Sequence, residues 1–231
     1  MPPRLLLASR SPRRHEALAA LGLEFDVVVS QAEADLPPPP DPTDPLPAAA
    51  AKALDAAAEH PAAVVLAGDT IVALGRQALG KPGTPAAAWQ MLAALRGRDH
   101  AVRTAVAVVH HGRLQSAEVA CPLRMRPYAD DEIARYVASG EPLDCAGAYD
   151  VHRLGGALVE RLDGCFSTVV GLPIVEAARL LRLAGITIPS DPAQVCTQLY
   201  GRPCLALQPE TAHWCRAGGG ATPSHIGRGR G

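Results

Sequence analysis

Leu5-Leu6-Leu7-Ala8-Ser9-Arg10-Ser11-Pro12-Arg13-Arg14-His15-Glu16 joins a short apolar run to a helical pattern through two hydroxyls and three arginines. Ser11 suits an N-cap and Pro12 the first helical position, while Ala17, Leu18 and Leu21 supply an apolar face that stops at Gly22. A strand therefore hands over directly to a helix, and the free amides of the first turn face the connecting loop. Those amides and the positive end of the helix dipole attract anions, and Arg13 and Arg14 add charges that can fork onto phosphate oxygens. The same residues also suit a capped surface helix with solvated arginines, so the assignment needs support from elsewhere in the chain.

Working outward, apolar runs alternate with amphipathic helical segments over the first two thirds of the sequence, which predicts an α/β fold. Strands are expected over residues 25–29 and 62–67, the latter ending at Gly68-Asp69-Thr70. An alanine-rich helix carrying Lys52 is expected over 47–59, and the proline- and aspartate-rich stretch 31–45 reads as a loop. Thr84-Pro85 opens a helix that runs to Gly97, and residues 100–110 and 113–124 form a hairpin about His111-Gly112. Helices follow over 128–139 and 172–183, and regular structure is expected to fade from Ser190 into a glycine-rich tail. The organisation read from this is one domain over residues 1–188 and a partly disordered extension over 189–231.

The chain has 231 residues, 48% of them hydrophobic, enough for a sizeable core, and a formal net charge of −1. That balance lacks the global basic field of a nucleic-acid binder but leaves room for a local anion site. No apolar run reaches membrane-spanning or secretory length, so no membrane association is expected and the cytoplasm is the expected compartment. The six cysteines include no C-x-x-C pair and read as reduced thiols. Cys196, Cys204 and Cys215, with His213 between the last two, could hold zinc only with a non-standard spacing.

Asp69 is the leading candidate for chemistry, since a carboxylate at the lip of a sheet stands where α/β proteins bind ligands. Lys81, in the turn Gly80-Lys81-Pro82, and the arginine-bearing helix start supply cations for the same site. A carboxylate facing several cations fits hydrolysis of a phosphoanhydride. Neither a Walker A pattern nor a G-x-G-x-x-G after a strand is present, which sets aside P-loop and dinucleotide-binding readings. Cys145 and Cys165, with His152 nearby, are weighed as nucleophilic thiols and fit better as small buried side chains.

These segments together resemble the Maf family of nucleoside triphosphate pyrophosphatases over residues 4–188. The resemblance is carried by Leu7-Ala8-Ser9-Arg10-Ser11-Pro12-Arg13-Arg14, Ala51-Lys52-Ala53, Ala67-Gly68-Asp69-Thr70, Leu79-Gly80-Lys81-Pro82, Gly97-Arg98-Asp99-His100, Ala146-Gly147-Ala148-Tyr149 and Val169-Val170-Gly171-Leu172-Pro173. It implies an inosine triphosphatase-like α/β fold, a mixed central sheet flanked by helices, with two lobes and a cleft that admits a nucleoside triphosphate. It further implies Asp69 as the proton acceptor, Ser9, Arg13, Arg14, Lys52 and Lys81 along the phosphates, and a homodimer. A magnesium or manganese ion held by Asp69 and Glu33 is implied as well.

Arg13 and Thr70 match the branch acting on dTTP and UTP, whereas His152 stands where that branch has Gln. Cys145 replaces a common Lys, and the acidic pair after the second strand appears as Glu33-Ala34-Asp35. A catalytically weakened nucleotide-binding regulator on the same fold is the alternative these departures keep open.

Overall fold

The computed structural model describes residues 3–30, 32, 36–204 and 215–217. Its centre is an eight-stranded mixed sheet. β1 (Leu5–Ala8) lies between β2 (Asp26–Val28) and β3 (Val64–Leu74) and is parallel to both. From β3 the sheet continues antiparallel through β5 (Asp99–His110), β6 (Arg113–Met125) and β7 (Val159–Leu162). β4 (Gln77–Leu79) folds back on the end of β3, and β8 (Cys215–Ala217) pairs with β6. β5 and β6 meet at His111-Gly112, both at positive φ, the two-residue turn whose twist matches that of the strands.

Strand periodicity sorts the core. Leu5, Leu7, Val64, Leu66, Val106 and Val108 point to one face, under α1 (Pro12–Ala20) and α6 (Ile174–Leu183). Leu6, Ala8, Val65, Ala67, Ala105 and Ala107 point to the other, under α2 (Leu46–Glu59), whose Ala49, Ala53 and Ala56 let it approach the sheet closely. Burial on both faces explains why β1 reads as an unbroken apolar run rather than an alternating one. A second core forms beyond it. Val72, Leu74, Val102, Leu123 and Met125 pack there against α3 (Pro85–Leu95) and α4 (Asp130–Ala138).

Three findings revise the expected elements. β3 does not stop at Gly68-Asp69-Thr70 but runs on to Leu74, because Val72 and Leu74 belong to the second core. Asp69, Thr70 and Ile71 are the half-buried middle of that strand, between fully buried stretches on either side. The carboxylate thus sits where one core gives way to the other rather than at a strand's end. Regular structure also continues past Ser190: α7 (Pro192–Tyr200) is capped by Asp191, whose carboxylate accepts from the Ala193 and Gln194 amides. Its Ala193, Val195 and Cys196 enter the same core as β1 and α1. The expected helix over 172–183 begins at Ile174, and a short helix, α5 (Phe166–Val170), precedes it across Gly171. No helix among the described residues is long and apolar enough to cross a membrane.

Candidate active site

A cleft of about 830 Å³ opens between the two cores, within the range of nucleotide-sized pockets. Its floor is the loop from β1 into α1 and the middle of β3, and its far wall is the segment Asp144 to Asp150. Five cationic side chains line it (Arg10, Arg13, Arg14, Lys52 and Lys81), against the carboxylates Asp44, Asp69, Asp144 and Asp150. In a chain of net charge −1 the cleft carries a formal excess of one positive charge, with cations and carboxylates interleaved.

Arg14 is fixed by a fork of hydrogen bonds. Its Nε donates to the Gly171 carbonyl at 2.8 Å, one Nη to Ser9 Oγ at 3.1 Å and the other to Thr70 Oγ1 at 3.0 Å. Thr70 Oγ1 lies 3.0 Å from Thr104 Oγ1, which donates to the Thr168 carbonyl at 2.7 Å. β1, α1, β3, β5 and α5 are tied together at this one point. Gly68 makes room for it: a Cβ there would stand 3.2 Å from Arg14 Nε and 3.1 Å from the Ala105 carbonyl oxygen. Gly171, at φ +112°, turns its carbonyl toward Arg14 through a backbone geometry that L side chains rarely adopt.

Asp69 Oδ1 accepts from Lys52 Nζ at 2.9 Å, both side chains being about 15% exposed, and Oδ2 has no hydrogen-bond partner among the described residues. One carboxylate oxygen is held by Lys52, and the residue lines the cleft. Arg13 donates to Asp150 at 2.9 Å, and the second Asp150 oxygen accepts the His152 amide at 3.0 Å. Lys81 and Asp144 pair at 2.6 Å on the exposed rim. The proline-rich loop is strapped to the sheet by Arg103, which pairs through two nitrogens with Glu118 and reaches Thr43 Oγ1 at 2.6 Å and Asp41 at 3.2 Å. The Thr43 hydroxyl and amide, followed by Arg103, pull the Asp41 carboxyl down to about 2.

The chain matches the model of the Maf-like protein family over residues 4–184, a span that contains every cleft residue named above. It belongs to the Maf family. Similar curated proteins include the dTTP/UTP pyrophosphatase of Gloeobacter violaceus, 45% identical over 78% of this chain and 96% of its own length. That of Methylobacillus flagellatus is 42% identical over 80% and 95%, and that of Aquifex aeolicus 40% identical over 78% and 94%.

In this Maf protein the fold brings Ser9, Arg13, Arg14, Lys52, Asp69, Thr70 and Lys81 to one cleft. It does not bring His152 there: the exposed ring packs edge-on against Phe166 and Tyr200, at 6.2 and 5.6 Å between centroids. Glu33 lies outside the described residues, as does His213, and the side chain of Cys215 is not described. No group of three or more His, Cys, Asp or Glu side chains suited to a metal ion occurs among the described residues. Cys145 lines the cleft beside Arg13, its thiol pushed up by burial.

Sequence reasoning missed Asp150, Asp144 and Thr104, the partners that orient the cations. A hydroxyl within the apolar β5 run was the one local signal for Thr104. Arg10 was present in the motif but not singled out; it lines the cleft, exposed and without an ion-pair partner among the described residues.

Proposed function

We propose that this chain hydrolyses nucleoside triphosphates, dTTP and UTP foremost, to the nucleoside monophosphate and pyrophosphate. The observation that carries the reading is Asp69, one carboxylate oxygen anchored by Lys52, in a cation-lined cleft. The dTTP/UTP pyrophosphatase activity for which relatives at 40–45% identity are named supports the choice of pyrimidine triphosphates.

In the reaction, water bound at Asp69 Oδ2 attacks the α-phosphorus and passes its proton to the carboxylate. A bond forms between the water oxygen and phosphorus as the α–β bridging bond breaks, and pyrophosphate leaves. Arg14, locked in place, and Lys52 meet charge that grows on the phosphoryl oxygens without moving to do so. Ser9 and the first amides of α1 hold further phosphate oxygens, while Arg10 and Lys81 guard the mouth. One cleft carboxylate, Asp69, fits magnesium or manganese, which keep waters and bind through one or two carboxylates plus substrate phosphates. Of the two ligands the family resemblance implies, Asp69 lines the cleft and would hold the ion, which would neutralise triphosphate charge.

Base choice is assigned to the Arg13–Asp150 pair and the Thr70 side of the cleft rather than to the His152 ring. A panel of canonical and modified triphosphates, assayed with magnesium or manganese for monophosphate and pyrophosphate, tests the proposal. Turnover is expected to be fastest on dTTP and UTP. Orthophosphate as the product, or tight binding with no hydrolysis of any triphosphate, would overturn it, the latter in favour of a nucleotide-binding regulator.

A further inference from the structure

Cys165, Cys196 and Cys204, distant in sequence, converge on a second cavity of about 230 Å³, which they line together with Phe166, Tyr200 and Arg202. α5 stands between this cavity and the cleft. Its start, Cys165-Phe166, faces the thiols, and its end, Val169 to Gly171, lines the nucleotide side. Cys196 and Tyr200 come from α7, beyond the stretch that matches the Maf family.

The cavity treats its thiols unequally. Cys165 is half-buried, and its Sγ lies 3.0 Å from Ser167 Oγ. Ser167 Oγ already accepts the Ile174 amide at 3.1 Å, which leaves the hydroxyl proton to donate toward sulfur. The Cys196 thiol, then Ser167 and Thr168, support the anionic form of Cys165 and pull its pKa below the ordinary thiol value, although burial opposes this. Cys196 is buried, and its thiol is pushed strongly the other way by Cys165, Cys204 and desolvation. Two thiols of unequal exposure, one of them 3.0 Å from a serine hydroxyl, thus line one cavity of about 230 Å³ that has room for a small oxidant.

We propose that Cys165 and Cys196 form an oxidation site, in which hydroperoxides convert the thiol pair to a disulfide that fastens α7 to the start of α5. The Cys165 thiolate attacks one peroxide oxygen, the O–O bond breaks, and the leaving hydroxide takes up a proton as water, giving a sulfenic acid. The Cys196 thiol then attacks the Cys165 sulfur, the S–O bond breaks, and a second water leaves with the Cys196 proton. Two thiols lose two electrons and two hydrogens, and one peroxide is reduced to two waters. Cys165 meets the peroxide first because it is the more exposed of the two and stands 3.0 Å from the Ser167 hydroxyl. This chemistry is independent of the nucleotide reaction, and its test is read without an activity assay.

The full-length reduced protein is treated with equimolar hydrogen peroxide and examined by intact mass and by counting alkylatable thiols under denaturing conditions. Most molecules are expected to lose two hydrogens and to show four alkylatable thiols in place of six, restored by dithiothreitol. The mass loss should persist in Cys204→Ser and vanish in Cys165→Ser and in Cys196→Ser. In Cys196→Ser, Cys165 should be trapped as a sulfenic acid by dimedone. Unchanged wild-type mass overturns the proposal whether or not the variants fold. Survival of the bridge in Cys165→Ser or Cys196→Ser, or its loss in a folded Cys204→Ser, assigns it to other thiols and overturns it equally.

Discussion

Arg14 meets three acceptors, Ser9, Thr70 and Gly171, through three different nitrogens of one planar group, an arrangement that an ammonium cannot reproduce. Arg14→Lys keeps the charge and loses the fork, so kcat/KM on dTTP is expected to fall by about 100-fold, as misplacement by about 1 Å can cost that much. Steady-state kinetics checks this, and a loss under threefold would mean that charge alone matters at this position. Arg13, Arg14, Lys81 and Asp69 were legible in the sequence because each sits in a motif with a local signature (a helix start, a Gly-Lys-Pro turn, a Gly-Asp-Thr), whereas Lys52 was placed only by the family resemblance. Their partners were not legible. Asp150 is 137 residues from Arg13, Asp144 is 63 from Lys81, and Thr104 is 34 from Thr70, so only the fold brings them together. His152 shows the converse: its sequence position suggested the base pocket, while packing against Phe166 and Tyr200 turns the ring elsewhere.

At the level of elements, β3 carries the main lesson. Its apolar run was readable, but its length was not, because Gly68-Asp69-Thr70 has turn composition and looks like an end. The strand persists because its ladder to β5 continues from Val65 through Asp69 to Ala73, and because Val72 and Leu74 find a second core. Tertiary burial overrode local propensity, and the break in burial at Asp69 opens the cleft. α7 was missed for the opposite reason. Asp191-Pro192 is a plain helix start, but the glycine-rich tail beyond coloured the reading of everything after Ser190. Val195 of α7 is 5% exposed and packs in the same core as β1, and burying such a side chain is worth about 1.5–3 kcal/mol. A chain ending at residue 189 is therefore expected to unfold at lower urea concentration, by at least that free energy. An unchanged midpoint would show that α7 contributes no stability.

Across the whole molecule, three long strands run through both cores, so the cleft lies within a continuous sheet, and stability against pH is set in part by groups buried in it. His100 is the clearest of these: its ring is buried, Nε2 lies 2.7 Å from the Tyr149 hydroxyl, and burial lowers its pKa from 6.5 to about 4. Between those values the unfolded chain binds a proton that the folded chain does not, so stability falls as pH drops from about 6.5 toward 4. The shift amounts to about 3 kcal/mol by pH 4 at one order of magnitude. Urea unfolding at pH 7 and pH 4.5 should show a shallower loss in His100→Gln than in wild type, and equal losses would remove His100 from the account. The central claim is that Asp69 activates water in a cleft built to hold a triphosphate. Asp69→Asn preserves shape and can still accept from Lys52, but it cannot take a proton. Pyrophosphate release from saturating dTTP by this variant is the direct measurement, with thermal midpoint and dTTP affinity recorded beside it. The expected result is a fall of about 10²–10⁴-fold in kcat with fold and binding retained. Release at the wild-type rate by the folded variant would contradict the claim.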